Sequence, residues 1–163
     1  EIHMPIYSHN DTITSLNQNF PGRQGNALAA IHRNSRLSAE VVSAARTLRA
    51  EESGAVLYLS SATGFATTLP PPALGLEFTF VIGATPNTSG NHTIVTSGSA
   101  NIIQGNSFIS PDAIGVAADP ADSINLVASS TVTGDEVQVH SDGTNWYVKA
   151  FASLAAAVTF TKV

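Results

Sequence analysis

The chain has 163 residues, of which 43% are hydrophobic and 12% charged, with a net charge of −5 and no cysteine. This length suits one domain, or one domain with an arm, and the lack of cysteine excludes disulfides, thiolate metal sites and cysteine nucleophiles. The negative charge argues against a nucleic-acid partner, and no apolar stretch reaches the roughly 20 residues of a membrane-spanning helix.

The charged fraction is about half the roughly 25% of ordinary soluble domains. Serine, threonine, asparagine and glycine take the surface positions instead. Such a composition favours β-strands and broad, dry contacts between subunits, because few ionic groups need desolvating when these surfaces meet. We therefore expect a protein that assembles with copies of itself or with a protein partner.

Residues 1–36 predict an extended N-terminal arm, because they are polar and carry only spaced apolar side chains. No basic segment followed by an apolar run opens the chain, so we expect no secretory signal there. An arm of this kind buries too little to order alone and needs a docking surface. Residues 1–50 carry +2 and residues 51–163 carry −7, which favours docking on the same body or on a neighbouring copy. The expected contact residues are Ile6, Tyr7, Ile13, Leu16, Phe20, Arg23, Arg33 and Arg36.

Residues 37–163 predict a β-rich body. Residues 37–50 fit a helix followed by a strand, since their apolar spacing suits either. From residue 51 onward, short runs rich in β-branched and aromatic residues alternate with glycine, proline, asparagine and aspartate. The expected strands are 55–59, 65–69, 76–82, 92–96, 101–104, 123–127, 136–140, 146–150 and 157–161.

This spacing, without long helices, predicts an all-β fold, an antiparallel β-sandwich or barrel. The clearest local signal is a hairpin in which Asp142-Gly143 supplies the reversal. We expect Trp146, in its second strand, to pack in the core rather than bind a ligand. No fixed-period repeat indicates a solenoid.

The sequence predicts no catalytic, cofactor or metal site. It lacks the phosphate-cradling, dinucleotide, zinc-protease and nucleophile-elbow motifs. Asp112, Asp119 and Asp122 lie in one loop, but we interpret them as turn formers rather than Ca²⁺ ligands. Asp135 and Glu136 are expected to cap a turn. The five histidines are too scattered for a metal site; they are His3, His9, His32, His92 and His140.

Three triplets match the glycosylation acceptor pattern, at Asn10, Asn87 and Asn91. In a chain this rich in asparagine, serine and threonine, chance explains them.

The body, roughly residues 46–163, resembles the capsid decoration or cement proteins of tailed bacteriophages. Three passages carry the resemblance: the turn from Leu48 to Gly54, the passage from Gly64 to Phe80, and the hairpin from Gly134 to Tyr147. Similar passages occur in phage tail and fibre proteins. The arm resembles no family.

The resemblance implies a non-enzymatic virion protein on the outer capsid surface. Such a protein often forms a homotrimer and clamps adjacent major capsid subunits to stabilise the shell; no cofactor, nucleic acid or membrane is implied. Three alternatives stay open. A tail, fibre or baseplate component would show shaft-like repeats, a carbohydrate-binding β-sandwich would need exposed aromatics on one face, and a hydrolase would need a dispersed site.

Overall fold

The chain folds almost entirely into β-strands. The computed structural model describes residues 38–109, 117–154 and 156–162, and the predicted arm lies outside this range. One short 3₁₀ turn spans Ala50–Glu52. The strands are β1 (Ala39–Val42), β2 (Arg46–Thr47), β3 (Ala55–Leu59), β4 (Ala66–Thr68), β5 (Leu74–Ile82), β6 (His92–Val95), β7 (Ile103–Ile109), β8 (Ala117–Ala121), β9 (Ser123–Leu126), β10 (Glu136–Asp142), β11 (Trp146–Ala152) and β12 (Val158–Thr161).

These strands form two mixed sheets. The larger sheet has the order β1-β3-β5-β10-β11-β7-β8, and the smaller has the order β12-β9-β6-β4-β2. Buried side chains of both sheets form one apolar core, to which the larger contributes Phe78 and Trp146 and the smaller contributes Ile94 and Ile124. The all-β sandwich predicted from the sequence is confirmed.

The first six strands alternate between the two sheets. As a result β1, β3 and β5 pair parallel in the larger sheet, and β2, β4 and β6 pair parallel in the smaller one. The chain thus makes three stacked turns, each contributing one strand to each sheet. This differs from the purely antiparallel pairing that we expected. A parallel pair needs a crossover connection, and here the opposite sheet supplies it instead of a helix.

The stacked turns differ in length. Ala39 lies opposite Val56, an offset of 17 residues, whereas Val56 lies opposite Thr79, an offset of 23. A sequence period requires equal offsets, so the stacking leaves no fixed repeat in the sequence.

The remaining strands close the stack with antiparallel pairs. β10 pairs with β5, and β11 with β10; β9 pairs with β6, and β12 with β9. The predicted hairpin is confirmed as β10–β11, with Ser141 opposite Trp146. Gly143 has φ +98° in its turn, a conformation that glycine adopts without strain. Trp146 is fully buried and packs 6.0 Å from Phe78 between ring centroids, as predicted.

Three regions differ from the sequence-based expectation. The strand expected at residues 101–104 begins at Ile103 and extends to Ile109, as β7. The helix expected within residues 37–50 is not found in the described part of that range, which begins at Ser38. Strand β1 takes its place, because it pairs with β3 and buries the β-branched Val42 in the core. Strand β8 was not expected, since its alanines, aspartate and Pro120 have low strand propensity. It pairs only with β7, as an edge strand, where a proline is tolerated.

Candidate functional site

The outer face of the larger sheet carries the exposed aromatic side chains. Residues alternate along β11, where Trp146, Val148 and Ala150 are buried while Tyr147, Lys149 and Phe151 are exposed. This follows from the two-residue period of a strand, which places alternate side chains on opposite faces. The same alternation holds in β5 and β10.

One line of residues crosses this face from β1 to β7, and we call it the apolar row. Strand register places each member beside the next. Val41 is 67% exposed and Phe108 53% exposed at its two ends, and Phe108 stacks on Phe151 with ring centroids 5.6 Å apart. Five strand spacings of about 4.8 Å make the row about 24 Å long. Its members are Val41, Tyr58, Val81, Glu136, Phe151 and Phe108.

Beside the row lies an open cleft of about 230 Å³ over β7, β10 and β11. Phe108 of β7 and Tyr147 of β11 line different parts of the cleft. Lys149 lies two residues after Tyr147, and Asn106 two residues before Phe108. Strand register pairs Lys149 with Asn106, which places both between the two rings. The cleft is lined by Gly105, Asn106, Phe108, His140, Tyr147, Val148 and Lys149.

Gly105 is required where β7 approaches β11. Its φ is +136°, and a Cβ there would lie 2.1 Å from the carbonyl oxygen of Val148. A side chain at this position is therefore excluded by both the backbone conformation and the space. The absence of a side chain keeps the two strands of the cleft paired.

Hydrogen bonds fix the turn beside the cleft. The hydroxyl of Tyr147 donates to Asp142 Oδ2 at 3.0 Å, and Oδ1 of Asp142 accepts the backbone N–H groups of Thr144 and Asn145 at 2.8 and 2.7 Å. The N–H groups of Asn145 and Thr144 lower the pKa of Asp142, and the hydrogen bond to Asp142 raises the pKa of Tyr147. The Tyr147 ring is thereby held in place at the edge of the cleft.

The charged groups on this face differ in how they are paired. His140 Nδ1 lies 3.6 Å from Glu77, and Gln138 donates to Glu136 at 2.6 Å. The ammonium of Lys149 makes no ion pair or hydrogen bond with any described residue. No carboxylate is among the residues that line the cleft, although the chain as a whole is acidic. The cleft therefore presents an available positive charge between aromatic side chains.

The described histidines separate into a buried and an exposed one. His92 is fully buried, packs 4.3 Å from Phe65 between ring centroids, and has no hydrogen-bond partner on either ring nitrogen. Burial lowers its pKa, which the nearby backbone of Ser61 only partly opposes. His140 is exposed and lines the cleft. His3, His9 and His32 lie outside the described residues.

The carboxylates considered in the sequence have structural surroundings. Asp119 lies in strand β8 and not in a loop, and Asp112 lies outside the described residues. Asp122 is buried and accepts a hydrogen bond from Thr96 at 2.7 Å. Asp135 caps a turn, as predicted, by accepting the N–H of Val132 at 3.0 Å, whereas Glu136 lies in strand β10 and accepts from Gln138 instead. No group of three potential metal ligands occurs among the residues that the structure describes.

Asn87, in one of the glycosylation-like triplets, is part of the core. Its amide nitrogen donates to the carbonyl oxygens of Gly90 and Leu126, at 3.0 and 2.9 Å. Its amide oxygen accepts the hydroxyl of Thr131 at 2.7 Å. A fully buried amide with these three bonds is a structural element and not an exposed acceptor.

The predicted partner-binding residues all belong to the arm. Ile6, Tyr7, Ile13, Leu16, Phe20, Arg23, Arg33 and Arg36 lie outside the described residues, so their role stays a prediction. The sequence-based argument missed the apolar row and the cleft. Alternation along residues 146–152 was the available signal, because it places Tyr147, Lys149 and Phe151 on the face opposite Trp146.

In the described part of the chain, no helix has the length and apolar character needed to cross a membrane. Comparison with known protein families, with characterised proteins and with solved structures found no match to this chain.

Proposed function

We propose that the chain is a non-enzymatic structural protein of a virion, of the capsid decoration type. It binds the outer capsid surface and clamps adjacent major capsid subunits, which stabilises the shell. Its partners are the major capsid protein and copies of itself in a homotrimer. No cofactor, nucleic acid or membrane takes part.

The observation that carries this proposal is the apolar row. Five of its six members are aliphatic or aromatic, and Glu136 lies between Val81 and Phe151. Exposed apolar patches often mark protein contact sites, and aromatic side chains are enriched in the cores of protein interfaces. Tyr58 and Phe151 are 39% and 47% exposed within this row. A weakly charged sheet face of this kind supports contact with another protein surface rather than catalysis.

The arm adds a second predicted contact. Its basic residues and spaced apolar side chains suit a groove on a capsid subunit or on a sister protomer. Residues 1–37 carry +1 and residues 38–163 carry −6, so opposite charges favour an arm that docks on the same body or on a neighbouring copy.

A tail or fibre component is the first alternative, and the stacked turns of β1–β6 are the observation that favours it. Shaft proteins extend such stacks over many repeats. In this chain, β10 lies next to β5 in the larger sheet and β9 lies next to β6 in the smaller one, and both pairs are antiparallel. The parallel stack therefore ends after three turns. A capsid-bound body fits this short stack better than a shaft does.

Co-sedimentation with empty capsids of the phage that encodes the chain tests the proposal. We expect the full chain to pellet with the capsids and the double variant Val41→Ser/Tyr58→Ser to bind at least about tenfold more weakly. The matched control Thr159→Ser changes a half-buried residue of the smaller sheet and should bind normally. Failure of the full chain to pellet, or equal binding by the double variant, would refute the proposal.

A further inference from the structure

Four aromatic side chains share the outer face of the larger sheet, which is the condition that a carbohydrate-binding sandwich must meet. Tyr58, Phe108, Tyr147 and Phe151 are all exposed there, and two of them line the cleft. Aromatic rings offer apolar platforms on which the C–H faces of sugar rings stack. Their rigidity also keeps the entropy cost of binding small.

The polar groups in the cleft complement a ligand with hydroxyl groups and one negative charge. Asn106 is exposed, and its side-chain amide makes no hydrogen bond with the described residues. The Lys149 ammonium is likewise available. Hydrogen bonds from an ammonium to a carboxylate are roughly twice as strong as neutral ones.

The surrounding carboxylates do not compete for Lys149. Glu136 accepts from Gln138, and Asp142 accepts from Tyr147 and the turn backbone. Glu77 lies against His140. None of these three acids forms an ion pair with Lys149, so its ammonium is available to a ligand.

The number of positive charges in the cleft also limits how many negative charges its ligand can carry. The cleft lining contains one lysine and no arginine, which suits a ligand with one carboxylate, whereas a nucleic acid or another polyanion would require several basic residues. Phosphate-rich ligands are disfavoured for the same reason.

We propose that the cleft over β7, β10 and β11 binds an acidic saccharide through its carboxylate. Lys149 pairs with the carboxylate, Asn106 bonds sugar hydroxyls, and Tyr147 and Phe108 pack against the sugar ring. The two proposals can be tested separately, because the cleft shares only Phe108 with the apolar row and the capsid test alters Val41 and Tyr58.

Two pairs of probes test the proposal, with binding followed by NMR titration of the ¹⁵N-labelled full chain. Methyl β-D-glucuronide and methyl β-D-glucoside differ in the carboxylate at C6, and 3′-sialyllactose and lactose differ in the sialate. We expect one or both acidic probes to bind with a Kd of about 1 mM and to shift the amide signals of residues 105–108 and 147–149. The matched neutral probe should bind at least about tenfold more weakly. Which acidic probe binds distinguishes a uronate from a sialate as the ligand.

Variants assign the binding to the cleft. Lys149→Ala should lose about tenfold in affinity for the acidic probe, while Lys162→Ala, which removes the same charge at the end of β12, should lose none. Tyr147→Phe keeps the ring and should retain affinity better than Tyr147→Ala. Each variant is first checked for an unchanged thermal midpoint, and Lys149→Gln, with the same expected loss, replaces Lys149→Ala if the latter is unstable.

Three outcomes overturn the proposal. The first is an absence of shifts with either acidic probe at about 20 mM, well above the expected Kd. The second is equal affinity for the acidic and neutral members of both pairs. The third is binding that moves signals outside the cleft or that Lys149→Ala leaves unchanged.

Discussion

Asp135 holds Ser153, which lies 18 residues further along the chain. Oδ1 of Asp135 accepts both the backbone N–H and the hydroxyl of Ser153, each at 2.9 Å, and Oδ2 accepts the N–H of Val132. Asp135 precedes β10 and Ser153 follows β11, so this one buried side chain joins the two strand ends at the open end of the hairpin.

Replacing Asp135 should therefore destabilise the whole sandwich. Asp135→Ala leaves buried donors without partners, and we expect it to lower the free energy of unfolding by about 2–4 kcal/mol. Asp135→Asn should cost less, because one oxygen remains to accept from Ser153. Urea unfolding followed by the fluorescence of Trp146, the single tryptophan, measures both. Asp142→Ala, at an exposed turn, is the control, and an equal loss in that variant would contradict the role of Asp135.

Asn87 should matter as much for stability as an apolar core residue. Asn87→Ala removes one hydrogen bond within the turn before β6 and two that join this turn to the end of β9 and to the loop after it. We expect a loss of about 2–4 kcal/mol. Asn91→Ala is the matched control. Asn91 is exposed and accepts only the N–H of Ala128 at 3.0 Å, so its loss should be smaller. Chemical unfolding of both variants measures the difference, and indistinguishable midpoints would contradict this assignment.

His92 makes stability depend on pH. Burial lowers the pKa of His92 in the folded chain, whereas the pKa of a histidine in the unfolded chain is about 6.5. As the pH falls, the unfolded chain therefore takes up the proton first. Stability is then full above about pH 7 and falls as the pH drops through 6.5 towards the folded-state pKa. Thermal melts between pH 5 and 8 should show this loss in the natural chain and a smaller one in His92→Phe.

If the melts of His92→Phe followed the same pH profile as the natural chain, another group would be responsible.

Gly64 is required for the stacking of successive turns. A Cβ at Gly64 would lie 2.3 Å from the carbonyl oxygen of Asn91, and the N–H of Gly64 donates to Ser89 at 2.7 Å. Gly64→Ala should cost about 2–3 kcal/mol through overpacking against backbone that cannot move aside. A Cβ at Gly98 would meet no atom within 4 Å, but Gly98 has φ +81°. Backbone strain alone should therefore lower the stability of Gly98→Ala by about 1 kcal/mol. Thermal unfolding separates them, and a smaller loss in Gly64→Ala would contradict the packing argument.

Much of the fold was predictable because strand signals are local. The boundaries of β3 were predicted at Ala55–Leu59, and the β10–β11 hairpin follows from Asp142-Gly143. Parallel stacking was not predictable, since turns of unequal length leave no period. The face on which Tyr147 lies follows from the local alternation along its strand. That Tyr147 and Phe108 line the same cleft depends on the parallel pairing of β7 with β11, which joins distant segments of the chain.

We propose that the chain stabilises a capsid by binding its outer surface. Anything that binds only the assembled shell raises its stability by mass action. The most direct measurement is the temperature at which phage heads lacking the chain release their DNA, with and without added chain. We predict that the release temperature rises as the chain is added and then reaches a plateau. An unchanged release temperature at a saturating concentration of the chain would contradict this proposal.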